Sequence, residues 1–90
     1  MSVALDAAYE VSPQVALRPE PFGALAYHYG TRRLVFVRRP ELVALLKDLP
    51  AHTSLAGALE ATGIASERWP SFISALSSLE ESEIIRARQA

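Results

Sequence analysis

Cysteine is absent from the 90-residue chain. That excludes disulfide staples, thiolate ligation of an iron–sulfur cluster and a thiol nucleophile, and it fits a reducing compartment. Long apolar runs are absent as well. None approaches the roughly 20 residues that a spanning helix needs. Met1 leads into SVALDAAYEVSPQ, which lacks the charged and apolar regions of a secretory signal. The expectation is a soluble, cytoplasmic protein. A basic excess is missing too: nine Lys and Arg face ten Asp and Glu, for a net charge of −1, which argues against a free nucleic-acid binder.

Chemistry-bearing clusters are equally scarce. The two histidines, His28 and His52, lie in different segments with no carboxylate at metal-ligand spacing. They read as a strand-surface and a loop residue. No serine sits in a G-x-S-x-G elbow, and GTRR and ATGI are too short and glycine-poor for a phosphate loop. Glu80, Glu81 and Glu83 read as a solvated run at a helix end. The chain is expected not to be an enzyme and to hold no metal or cofactor.

What is present is a hydrophobic half, 50% of residues, enough for one packed domain. Residues 1–12 read as a flexible N-terminal arm from which Tyr9 and Val11 could dock. QVALRP is short and β-prone, with Val15 and Leu17 on one face, and Pro19 and Pro21 end it. ALAYHY and RLVFV are the clearest strands. Gly30-Thr31 suits a two-residue type II′ turn. That turn sets Tyr27 opposite Leu34 and Leu25 opposite Phe36, and these four larger residues are assigned to the core.

Pro40 suits the first turn of a helix, and Leu42, Leu45, Leu46 and Leu49 follow as one stripe. Thr53 or Ser54 can cap a second helix with Leu55, Ala58, Leu59 and Thr62 on one side. Gly63 sits where a C′ glycine belongs. A third helix starting at Ser66 or Trp69 carries Phe72, Ile73, Leu76 and Leu79. Ile84 and Ile85 need cover, as a last strand or a helix extension. The expected fold is α+β: a three-stranded antiparallel sheet followed by three helices, in a winged helix-turn-helix-like order.

Arg32, Arg33, Arg38 and Arg39 admit three readings. They could contact phosphates as the wing of a DNA-binding regulator, protect strand ends against aggregation, or attract acids of a peptide laid along RLVFV. The peptide reading has a physical basis. RLVFV is the last strand of a meander, so its N–H and C=O groups face open space, and an incoming extended segment can pair with them.

The residues VSPQVALRPEPFGAL and YHYGTRRL, followed by PELVALLKDLP, resemble the mycofactocin-system peptide chaperones of the wider PqqD-like group. The resemblance runs from about Tyr9 to Ile85. It implies a RiPP recognition element domain over residues 13–85, with 86–90 as a C-terminal tail. It also implies a function: binding the leader of a ribosomal precursor peptide and delivering it to a radical S-adenosylmethionine (SPASM) maturase. That enzyme oxidatively decarboxylates and cross-links the precursor's C-terminal Val-Tyr. S-adenosylmethionine and Fe–S clusters are then expected only on the partner, with no nucleic-acid or membrane partner. By the same resemblance the leader adds as a strand beside Arg33, Leu34, Val35, Phe36 and Val37. Phe72, Ala75, Leu76 and Leu79 offer apolar contacts, and Arg68 a charge.

Overall fold

The computed structural model describes residues 3–88; Met1, Ser2 and the last two residues of the expected tail lie outside them. The elements are β1 (Tyr9–Val11), β2 (Val15–Glu20), β3 (Gly23–His28), β4 (Leu34–Val37), α1 (Pro40–Asp48), α2 (Leu55–Ala61), α3 (Trp69–Glu81) and β5 (Ile85–Ala87). β2, β3 and β4 form a three-stranded antiparallel meander, and three helices follow, as the sequence predicts. A second, two-stranded sheet pairs β1 with β5, joining the expected arm to Ile85 and the first two residues of the expected tail.

The helices form where their signals lie. Pro40 occupies the start of α1, and Leu42, Leu45, Leu46 and Leu49 are all buried. Ser54 caps α2, its Oγ accepting from the Gly57 N–H at 3.1 Å. The two preceding amides of α2 are satisfied from afar: Leu55 N–H donates to Ala7 O and Ala56 N–H to Leu5 O. The segment before β1 thereby fixes the start of α2, and Val3 and Tyr9 enter the core. Gly63, with φ +75°, closes α2 in a Schellman motif: Ile64 N–H reaches Leu59 O and Gly63 N–H reaches Glu60 O. α3 ends the same way, but with Glu83 in the left-handed conformation at φ +64°. This turn aims Ile84 and Ile85 into the core, and the chain continues as strand β5.

The meander corrects four expectations. Its register is the expected one, Tyr27 opposite Leu34 and Leu25 opposite Phe36. Its faces are inverted. Ala24, Ala26, His28 and Val37 are buried, whereas Leu34 and Phe36 are about half exposed, at 52% and 49%. The small alanines let α1 pack close to β3, so the bulky residues are left outside. The turn also differs from type II′. Arg32, at φ +61°, takes the left-handed position, and its N–H closes onto His28 O. His28 is buried rather than on the surface. Its Nδ1 accepts N–H groups of Gly30 and Thr31 at 3.1 and 3.0 Å, which holds the loop. Lastly, Pro19 lies within β2 opposite Ala24, tolerated because β2 is an edge strand.

Candidate functional site: the groove between β4 and α3

β4 is the other edge of the meander. His28 N–H donates to Arg33 O at 2.9 Å, which makes these two a hydrogen-bonded pair. Antiparallel pairing alternates from there. Val35 and Val37 direct their backbone groups to β3, and Leu34 and Phe36 direct theirs to the open side. The free edge thus offers two N–H and C=O sets about two residues apart, the spacing an added strand needs.

Beside this edge runs a groove of about 270 Å³. Val35, Phe36 and Val37 form one wall, and Ala75, Ser78 and Leu79 of α3 form the other. Leu42, Arg38 and Arg39 complete its lining. The apolar walls suit side chains of an extended segment, and the arginines suit a carboxylate on it.

The ten residues expected at the site divide in the structure. Val35, Phe36, Val37, Ala75 and Leu79 come together in the groove. Leu34 turns its side chain to the outer sheet face, and Arg33 is exposed near the hairpin loop. Phe72 and Leu76 are fully buried and belong to the core. The helix periodicity marks both roles alike, because one apolar stripe serves core and groove. Arg68 is engaged with Glu41, its guanidinium donating to both carboxylate oxygens at 2.8 and 2.6 Å. Those hydrogen bonds hold the Glu41 carboxyl below its ordinary value of 4.5, and correspondingly raise Arg68. Arg39 lies 4.3 Å above the Phe72 ring and donates to Ser71 Oγ at 3.0 Å. Arg38 lies over Phe36 and Phe22 at 5.1 and 5.7 Å. Leu42 and Ser78 line the groove without any sequence signal that sets them apart from an ordinary helix residue. No group of three or more potential metal ligands occurs among the described residues.

The model of the peptide chaperone MftB family matches residues 8–86. The chain belongs to that family. The Peptide chaperone MftB of Mycolicibacterium smegmatis is 39% identical over 80 residues, which cover 89% of this chain and 78% of the relative. The proteins of the same name from Mycobacterium ulcerans and Mycobacterium tuberculosis are 36% and 37% identical, over 94% and 93% of this chain and 78% and 77% of their own. No solved structure matches significantly. The family match begins before β1 and ends within β5, so it takes in the two-stranded sheet as well as the meander and helices. Among the described residues no helix is long and apolar enough to cross a membrane.

Proposed function

We propose that this chain is a non-catalytic peptide chaperone of mycofactocin biosynthesis. It binds the leader of a ribosomal precursor peptide and hands it to a radical S-adenosylmethionine maturase, which alone carries the Fe–S clusters. The observation that carries this reading is the open edge of β4, with Leu34 and Phe36 directing backbone groups outward, set beside an apolar groove on α3. Membership of a peptide chaperone family supports it. The leader adds as a fourth strand of the meander. Backbone pairing supplies affinity, and apolar side chains at alternate positions enter between β4 and α3. The arginines that line the groove favour an acidic residue in that segment.

The test is a titration of isotope-labelled chain with synthetic precursor peptide, followed by amide shifts. Saturable shifts at residues 34–37 and 75–79 are expected. Absence of saturable binding, or shifts that avoid both segments, would remove the reading.

A further inference from the structure

We infer that the solvent-facing side of the β2–β3–β4 sheet is a second binding surface, distinct from the groove. It docks a folded protein that presents an apolar patch bordered by carboxylates.

A meander packed on helices normally has one apolar and one polar face. Here the outer face is also substantially apolar. The register places Leu25, Tyr27, Leu34 and Phe36 on it together, with Tyr29 at the hairpin end 60% exposed. The aromatic rings are already arranged. Phe22 stacks on Phe36 at 5.7 Å, and Tyr27 meets Tyr29 edge-on at 5.3 Å. An apolar cluster of this kind left in water marks an interaction site. Tyr, Phe and Arg are also the residue types enriched where proteins bind proteins.

Charge selects the occupant. Arg18 and Glu20 on this face neutralise one another in an ion pair at 3.0 Å, which leaves Arg38 beside the face and Arg32 at the hairpin loop as its positive charges. Two copies stacked through this face would set these arginines against one another, which disfavours self-association. A lipid surface would call for long cations extending past the apolar patch. Instead Arg38 lies over the rings of Phe22 and Phe36, and the one lysine, Lys47, is on α1. Planar guanidiniums beside aromatic rings suit carboxylates on a protein.

The two surfaces meet at Phe36, which borders the groove and belongs to the outer face. A leader strand added to β4 would extend the same sheet, and its alternate side chains would join the outer face. The docked protein then touches chaperone and peptide at once, so each strengthens the other's binding. This last step rests on the reading of β4 as the leader edge.

The probe is the purified maturase invoked above, measured with wild type, Tyr27→Glu and Tyr29→Ser, alongside leader titrations of the same proteins. Circular dichroism checks the fold, and the exposure of Tyr29 makes its variant structurally mild. Both variants are expected to weaken maturase binding by about tenfold or more while leader affinity stays within about twofold. Wild-type binding should weaken with added salt. The inference is overturned if wild type fails to bind the maturase or if both variants bind it as wild type does. It is also overturned if anionic phosphatidylglycerol vesicles retain wild type and release the variants. Failure of the leader reading shows separately, as a wild-type chain that binds no leader peptide.

Discussion

Gly23 is where a single side chain would do most harm to the sheet. Its φ of +146° is strained for any L-residue, and an added Cβ would stand 2.2 Å from Val37 O. The Cβ is fixed by the backbone of β3, and the Val37 oxygen belongs to the main chain of its paired strand, so neither can swing away. Gly23→Ala is expected to cost about 3 kcal/mol, read as a lowered urea midpoint. Glu41 makes a subtler case. Its folded pKa is depressed, so its link to Arg68 contributes above the unfolded value and is lost as pH falls through the folded one. Both side chains are about half exposed, at 51% and 48%, so the effect is small. The melting-temperature gap between wild type and Glu41→Gln should be steady at neutral pH and close as the pH drops below 4.5. A gap that persists in acid would show that packing, not charge, links Glu41 to Arg68.

At the scale of the element, β4 separates two kinds of backbone group, and proline tests which is which. The Leu34 N–H faces the open edge at the first position of the strand, where proline is tolerated. Leu34→Pro should keep the fold and weaken leader binding by about three- to tenfold, one lost hydrogen bond. Val35→Pro removes an N–H directed to β3 and should instead destabilise the hairpin. Equal loss of peptide binding without any loss of stability in both would contradict the pairing. The sequence shows β4, its register and its edge position, because period-two alternation and a short loop fix them. It does not show which face is covered. Leu34 and Phe36 outrank Ala24 and Ala26 in hydrophobicity, but the space beneath α1 admits only the alanines. The helices are more legible, since Pro40, Ser54 and Gly63 each have one physical use where they stand. Within α3, periodicity cannot tell Leu76 in the core from Leu79 at the groove, because one helical turn separates them on the same stripe.

The molecule as a whole is closed by the segments that sequence sets apart as arm and tail. β1 pairs with β5, Arg88 N–H donates to Ala8 O, and the Arg88 guanidinium reaches the Pro50 and His52 carbonyls. The local pattern leaves Ile84 and Ile85 between a last strand and a helix extension, and shows no strand at all over Tyr9–Val11. Only their meeting across the domain gives each a partner, and no window of sequence contains both. A fragment of residues 13–85 would keep the meander, the helices and the groove. It would lose Val3 and Tyr9 from the core and most of β5, and it would strip the Ala7 and Leu5 carbonyls from the start of α2. Burial of two such side chains contributes about 4 kcal/mol, before any cost of unpaired amides. Small domains hold only about 5–15 kcal/mol in total. The fragment should therefore unfold at a much lower urea concentration than the full chain, or not fold alone. Matching midpoints for fragment and full chain would mean that the second sheet rests on the domain without stabilising it.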